Sequence, residues 1–203
     1  MSSELLNYVP AVGLFQDRVI LVTGAASGVG EAVALAYAQF GATVVLLDKN
    51  VPKLEALYDR IVEAGYPEPA IYPLDLQTAN QDHYQTLAEV VKEQLGRLDG
   101  LVLNAAWLAA YMPLKLHDVD LWSNMITINL HANFLIIRAC LPLLEQASDP
   151  AIIFSTDVSN KAYQGAYGVS KAALDSLCDI VASEYDNSSH FIRVNRINTG
   201  PLL

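Results

Sequence analysis

The sequence predicts an α/β fold, in which one doubly wound parallel sheet is covered by helices on both faces. Short apolar, β-branched segments alternate with longer segments of helical periodicity along the 203-residue chain. This alternation is typical of a parallel sheet that is buried on both sides. The chain is 53% hydrophobic, which is enough for one large core, and it is short for two domains. We therefore expect a single domain at residues 16–203, preceded by a surface arm at residues 1–15.

The first strand leads into a glycine-rich turn and then into an alanine-rich helix, predicted at residues 31–40. Glycines in such a turn allow the tight bend, let a ligand approach the backbone and let the helix pack against the strand. Free N–H groups at the helix N-terminus suit a pyrophosphate. The alternative is a plain strand-to-helix turn. The residues predicted to bind a dinucleotide here are Thr23, Gly24, Ser27, Gly28, Val29 and Gly30.

The second strand, predicted at residues 41–48, ends in Asp48. An acid at this place suits the ribose hydroxyls of NAD and repels the 2′-phosphate of NADP. Lys49 stands beside it and could accept that phosphate. The sequence therefore predicts a preference for NAD(H), with NADP(H) as the alternative, unless Asp48 is only an acid in solvent at a strand end.

The remaining elements follow from apolar periodicity and from start and stop signals such as Pro52, Gly65 and Gly96. Helices are predicted at residues 52–64, 80–95, 119–145 and 163–185. Strands are predicted at residues 70–74, 98–103, 151–155 and 191–197. The expected strand order is 3-2-1-4-5-6, with the ligand at the carboxyl ends of the strands where that order reverses.

Tyr167 and Lys171 stand four residues apart on a predicted helix, so their side chains lie on one face. A nearby ammonium favours the phenolate and lowers the pKa of a tyrosine from about 10 toward the working range of a proton donor. The pair alone is also typical of a solvated helix face.

With Thr23-Gly-x-x-x-Gly28-x-Gly30 in front and Tyr167-x-x-x-Lys171 behind, the chain resembles the short-chain dehydrogenase/reductase family from about Gln16 to Pro201. Within that family, its first strand and the end of the helix at residues 119–145 are most similar to bacterial YciK-type oxidoreductases. The resemblance implies a Rossmann fold and NAD(P)-dependent hydride transfer between a nicotinamide and a carbonyl or secondary alcohol.

The resemblance also implies roles for individual residues. Tyr167 exchanges the hydroxyl proton of the substrate, and Lys171 lowers the pKa of Tyr167 and holds the nicotinamide ribose. Asn129 anchors a water of the proton relay through its backbone. The positions next to the adenosine of the cofactor are Asp75, Leu76, Asn104 and Ala105.

One catalytic position departs from the family pattern. Relatives carry a serine at the end of the fifth strand, where it binds the substrate oxygen, and Asp157 stands in that place here. A carboxylate would repel the developing alkoxide unless its surroundings keep it protonated. Ser155 or Thr156 could supply the hydroxyl instead if the strand end shifts, and Ser159 is a third candidate.

The end of the chain is a second departure. Residues 198–201 stand where relatives have a Pro-Gly turn, and the fold is expected to stop after the sixth strand, without the seventh strand and the lid helices. Water exclusion and substrate positioning would suffer. The alternatives to an active enzyme are therefore a non-catalytic dinucleotide-binding module, a truncated fragment of such an enzyme, or a structural α/β scaffold.

Composition restricts the partners. A net charge of −10 and a pI near 4.6 argue against nucleic acid and anionic membranes. With no apolar run of about 18 residues expected, membrane spanning is not predicted. Cys140 and Cys178 are expected to be buried free thiols, with no metal site. We expect a cytoplasmic enzyme of small molecules that forms a homodimer or homotetramer through the helices at residues 119–145 and 163–185.

Overall fold

The computed structural model of the chain describes residues 8–157, 161–186 and 188–200. These residues form one parallel sheet of six strands in the order β3-β2-β1-β4-β5-β6. The predicted order is thereby confirmed, and the reversal point lies between β1 and β4. The strands are β1 (Val19–Thr23), β2 (Thr43–Asp48), β3 (Ala70–Pro73), β4 (Gly100–Leu103), β5 (Ala151–Thr156) and β6 (Arg193–Asn198).

The helices connect these strands and begin and end close to the predicted bounds. They are α1 (Gly28–Gln39), α2 (Val51–Glu63), α3 (Gln81–Leu95), α4 (Val119–Ile126), α5 (Ala132–Leu144) and α6 (Gly165–Asp186). The start of α1 was predicted too late, because Gly28 and Gly30 belong to its first turn. Asn50 and Asn80 cap α2 and α3 by accepting hydrogen bonds from backbone N–H groups of the first turn.

The single long helix predicted at residues 119–145 is wrong in one respect. A π-helical turn at Thr127–His131 separates α4 from α5. Such wider turns are rare and occur often at functional sites. This one contains Asn129, whose side chain binds the backbone of Trp107 in the loop after β4.

The stretch Val119–Leu144 is long and apolar enough to cross a membrane by length and composition, with a mean hydropathy of 1.4. This corrects the expectation that no segment reaches that length. The core helix of a soluble protein passes the same test. Here Ile136, Cys140 and Leu144 are fully buried in the main core cluster, so packing against the sheet accounts for the apolar composition of the stretch.

Two core layers lie on opposite faces of the sheet. Alternate residues of β1 point to different layers, with Leu21 on one side and Ile20 and Val22 on the other. The Leu21 layer is covered by α3, α5 and α6, and the Ile20 layer by α1 and α2. Cys140 and Cys178 are buried free thiols, as predicted.

Phe15, the last residue of the predicted N-terminal arm, contacts the domain. The Phe15 ring packs edge-on against Tyr37 with 4.9 Å between ring centroids, and the Phe15 N–H donates to the carbonyl of Phe40. Tyr8, Val9 and Val12 are exposed. The domain boundary at residue 16 stays a prediction.

Candidate active site

A cleft of about 370 Å³ opens at the carboxyl ends of β1, β2, β3 and β4, where the strand order reverses. Parallel α/β sheets bind their ligands at this place. The cleft brings together nine residues that the sequence predicts to bind a cofactor. They are Gly24, Ser27, Gly28, Val29, Asp48, Asp75, Leu76, Asn104 and Ala105.

The glycine turn fits a close ligand at one position and close backbone packing at two others. A Cβ at Gly30 would lie 2.1 Å from the carbonyl oxygen of Gly24, and one at Gly24 would lie 2.9 Å from the Cα of Ala105. Gly28 has a φ of +55°, and no heavy atom lies within 4 Å of the place its Cβ would take. The open space above Gly28, at the N-terminus of α1, therefore suits a pyrophosphate group.

Thr23 and Asn104 hold the ends of β1 and β4 together. The Thr23 hydroxyl accepts hydrogen bonds from the backbone N–H groups of Asn104 and Ala105, each at 3.0 Å. The Asn104 side-chain amide donates to the Thr23 carbonyl at 3.2 Å. Thr23 is fully buried, so it supports the floor of the cleft from beneath.

Charged side chains lie at the ends of β2 and β3. The Asp48 carboxylate accepts hydrogen bonds from the N–H of Asn50 at 3.0 Å and from the N–H of Ala26 at 3.3 Å. Lys49 Nζ lies 3.8 Å from a carboxylate oxygen of Asp75. The cation of this corner is thus directed to Asp75, and backbone groups fix the carboxylate of Asp48.

Tyr167, Lys171 and Asp157 form a buried polar cluster at the end of β5. Each is less than 5% exposed. The Tyr167 hydroxyl donates to Asp157 Oδ2 at 3.2 Å. Lys171 Nζ donates to the Ser155 carbonyl at 2.9 Å and lies 5.7 Å from the centroid of the Tyr167 ring.

Electrostatics in this cluster differ from the prediction. Burial raises the pKa of Tyr167, and the charge of Asp157 and its hydrogen bond to the hydroxyl raise it further. Burial also lowers the pKa of Lys171 to about 8, against the opposing influence of Asp157 and Asp175. The pKa of Tyr167 is therefore raised in this arrangement, against the prediction that it is lowered, because desolvation and a nearby carboxylate disfavour the phenolate.

Asn129 ties the loop after β4 to the helix that carries Tyr167. Its Oδ1 accepts from the Trp107 N–H at 2.7 Å, and its Nδ2 donates to the Trp107 carbonyl at 2.9 Å and to the Ser170 hydroxyl at 3.1 Å. Its backbone carbonyl accepts from Asn133 Nδ2 at 2.7 Å. The side chain is a clamp, and the predicted role of the backbone in a water relay stays a prediction.

Of the described alternatives at the end of β5, Asp157 is the residue whose side chain accepts the hydrogen bond of the Tyr167 hydroxyl. The Ser155 hydroxyl instead lies 3.3 Å from the Thr199 hydroxyl. Thr156 is buried, and its carbonyl accepts from the N–H of Thr199. Ser159 lies outside the described residues.

Comparison with known proteins identifies the family. The short chain dehydrogenase family profile matches residues 18–203. The chain belongs to the short chain dehydrogenase family. It is 35% identical over 198 residues to the uncharacterized oxidoreductase YciK of Escherichia coli K12, covering 96% of this chain and 77% of that protein.

Solved structures of the family share the fold. A short chain dehydrogenase from Salmonella enterica serovar Typhi superposes with a TM-score of 0.91 at 36% identity, over 95% of this chain and 80% of that one. A family structure from Shigella flexneri 2a, complexed with NADP, gives 0.89 at 35% identity, over 94% and 80%. These neighbours confirm the predicted family and Rossmann-type fold.

The loop after β4 covers the tyrosine of this short chain dehydrogenase. Trp107, Leu108 and Ala109 pack against the small cluster of Met125, Ala166 and Tyr167. Trp107 also lines the cleft, so it joins the cofactor side of the site to the tyrosine side. The sequence analysis missed Trp107, although its place three residues after Asn104 at the end of β4 could have indicated it. The described part of this loop therefore packs over Tyr167, which is 1% exposed.

Proposed function

We propose that the protein is an NAD(P)-dependent oxidoreductase that moves hydride between a nicotinamide and a carbonyl or secondary alcohol. The observation that carries this proposal is the buried cluster of Tyr167, Lys171 and Asp157 at the strand end beside the glycine-lined cleft. A proton donor and a dinucleotide site at neighbouring strand ends are the two parts that such a reaction requires.

We propose one direction for a dinucleotide, along the cleft and on to the end of β5. The open N-terminus of α1 at Gly28 would hold the pyrophosphate, and Asp48 would accept hydrogen bonds from the adenosine ribose. Asp75 and Leu76 would border the adenine, and Lys171 would hold the nicotinamide ribose. When bound, the nicotinamide supplies or accepts the hydride.

The proton of the reaction would pass through Tyr167. Its hydroxyl is protonated and donates a hydrogen bond to Asp157, and a protonated phenol suits proton donation to a reduced carbonyl. Lys171 is the neighbouring cation and would stabilise charge on the phenol oxygen after transfer. The proposed direction is therefore carbonyl reduction.

For cofactor choice, we propose NAD(H), from the position of Asp48 in the cleft. The NADP complex of the Shigella flexneri neighbour favours the phosphorylated cofactor instead. Lys49 is the residue of this chain that would accept a 2′-phosphate, and its ion pair with Asp75 would first have to open. Measuring the dissociation constants of NADH and NADPH with the same protein preparation distinguishes the two preferences.

We also propose a cytoplasmic setting and a small-molecule substrate. For the setting, the support is that Cys140 and Cys178 are free thiols, which suits a reducing compartment. For the substrate, it is the net charge of −10, which repels nucleic acid and anionic membrane surfaces.

The test of the proposed function is oxidation of NADH and NADPH by the unmodified protein, followed by absorbance, with a panel of aldehydes and ketones. Turnover of at least one carbonyl is expected. Cofactor binding without turnover of any carbonyl would contradict the enzyme proposal and leave a dinucleotide-binding module.

A further inference from the structure

We propose that the favoured hydride acceptor of this site is a cationic carbon–nitrogen double bond, an iminium ion, in preference to a ketone. This inference rests on the proposed function, since it names the substrate class of the same site. It starts from the contact between the Tyr167 hydroxyl and the Asp157 carboxylate at 3.2 Å.

The reacting atom of a substrate must lie close to both groups. An atom that takes a proton from a side chain lies within about 2.6–3.2 Å of it. A ketone oxygen at that distance from the Tyr167 hydroxyl lies near the carboxylate that accepts the hydrogen bond of that hydroxyl, and an iminium carbon–nitrogen bond in the same place would meet the same charge. Asp157 is 4% exposed, so solvent screens its charge little.

A ketone creates two unfavourable charges in this setting. Hydride addition places negative charge on the substrate oxygen beside Asp157. Donation of the Tyr167 proton then leaves a phenolate whose oxygen lies next to the same carboxylate. Lys171 compensates only in part, because one proton of its ammonium is donated to the Ser155 carbonyl.

An iminium ion avoids both of these unfavourable negative charges beside Asp157. The substrate brings a positive charge to the carboxylate, which favours its binding. Hydride from the reduced nicotinamide forms the new C–H bond, and the π electrons of the C=N bond become the lone pair of a neutral amine. The nicotinamide is oxidised, the iminium is reduced, and no proton has to leave Tyr167.

The apolar surroundings also suit a compact organic cation. Trp107 and Trp122 pack against the cluster that contains Tyr167. Aromatic faces attract cations once water is displaced. The Asp157 carboxylate and these aromatic side chains are the features that a compact organic cation would meet beside Tyr167.

The experiment compares two five-membered rings, an N-methylated pyrrolinium ion and cyclopentanone, with the unmodified protein and its reduced cofactor. The N-methyl group fixes the positive charge, so the acceptor needs no proton from the protein. We expect kcat/KM for the pyrrolinium to exceed that for cyclopentanone by at least ~10-fold, within the range of discrimination by one polar contact.

Two variants test whether the charge of Asp157 causes the preference. Asp157→Asn keeps the shape and removes the charge, and Asp157→Ser restores a hydroxyl. Both should lower the ratio of the two kcat/KM values by at least ~10-fold, and Asp157→Ser should raise the rate on cyclopentanone. Asp59→Ser, on the exposed face of α2, is the control and should keep the ratio of the unmodified protein.

Three results would overturn the inference. One is reduction of cyclopentanone by the unmodified protein at least as well as the pyrrolinium. Another is an unchanged ratio in Asp157→Asn, with cofactor titration showing that the variant is folded. The third is failure to reduce either ring or any other carbonyl despite cofactor binding, which would remove the proposed function together with the inference.

Discussion

Asp48 and Lys49 present opposite charges at the corner of the cleft where the adenosine ribose is proposed to bind. Backbone N–H groups of Ala26 and Asn50 hold the Asp48 carboxylate, so it cannot easily turn away from a ligand. Lys49 is exposed and paired at 3.8 Å with Asp75, a contact that is weak at a surface. We therefore expect Asp48, more than Lys49, to decide cofactor choice.

Asp48→Ala tests this interpretation. In the unmodified protein, NADH should bind more tightly than NADPH by about tenfold, or roughly 1.4 kcal/mol, and the substitution should narrow that gap. Fluorescence titration with both cofactors measures it. Asp82→Ala, at the exposed start of α3, is the control and should leave the gap unchanged. Equal affinities in the unmodified protein, or tighter binding of NADPH, would contradict it.

Lys171 gives the site a pH dependence. Its pKa of about 8 means that the ammonium loses its proton as the pH rises through that value. If the charge holds the nicotinamide ribose, the dissociation constant for NADH should rise by about tenfold, or roughly 1.4 kcal/mol, with a midpoint near that pKa. Titrations at a series of pH values measure the midpoint. Lys171→Met should bind weakly at every pH, and a flat profile in the unmodified protein would exclude this role.

At the residue scale, the sequence predicts which side chains meet but not their ionisation. Asp157 was predicted to occupy the position of the serine, and the structure places it on the Tyr167 hydroxyl. The direction of the Tyr167 pKa shift was predicted wrongly. Burial of the phenol under the loop after β4 is a tertiary effect, and the spacing of Tyr167 and Lys171 carries no information about it.

Among the elements, the π-helical turn between α4 and α5 links the cleft to α6. Its Asn129 side chain makes three hydrogen bonds, two with the backbone of Trp107 and one with Ser170. The loop after β4 is thereby fixed where it joins the cleft, and Met112 N–H binds the Tyr163 carbonyl nearer the far end of the loop. Between these two anchors lie Leu108 and Ala109, which pack against the cluster of Met125, Ala166 and Tyr167.

Asn129→Leu should destabilise the fold, because it removes two hydrogen bonds with the part-buried backbone of Trp107 and one with the buried Ser170 hydroxyl. Each buried unpaired group costs about 1–3 kcal/mol, so we expect the free energy of unfolding to fall by roughly 2–4 kcal/mol. Urea denaturation measures the change. In Asn129→Asp the side chain can still accept the hydrogen bond from the Trp107 N–H, so the free energy of unfolding should fall by less. A change in the free energy of unfolding within about 0.5 kcal/mol for the leucine variant, as at an ordinary surface site, would contradict the role of Asn129 in fixing the loop after β4.

Strand order and most element bounds could be predicted because glycine turns and apolar periodicity are local signals. The π-helical turn could not be predicted, since α4 and α5 share one continuous helical pattern and the contact of Asn129 with Trp107 is tertiary. The sequence analysis also did not predict that Val119–Leu144 is long and apolar enough to cross a membrane. Composition alone does not separate a core helix from a spanning helix.

For the whole molecule, the structure narrows the proposed self-association surface. Of the apolar residues that suggested an interface on the long helix, Leu135, Ile136 and Ile137 are buried within the subunit, and Phe134 is 44% exposed. On α6, Val169 and Ile180 are about half exposed. The surplus apolar surface is therefore smaller than the sequence suggested, yet it lies on the same two helical segments.

We propose that the chain is at least a dimer through these helices. Phe134→Glu combined with Ile180→Glu should shift it to a monomer in sedimentation velocity at micromolar concentration, because charges are disfavoured at interface cores. Val62→Glu, at an exposed position of α2, serves as the control and should leave the assembly unchanged. A monomeric unmodified protein would contradict the proposal.

The most direct test of the proposed reaction is Tyr167→Phe, assayed on the carbonyl that the unmodified protein reduces best. The ring still fills the cluster with Met125 and Ala166, and the variant lacks only the hydroxyl that donates to Asp157. Tyr163→Phe, at an exposed position near the start of α6, is the matched control. The account predicts that Tyr167→Phe binds NADH as before while carbonyl reduction falls by at least ~100-fold. Carbonyl reduction by Tyr167→Phe at the rate of the Tyr163→Phe control would contradict it.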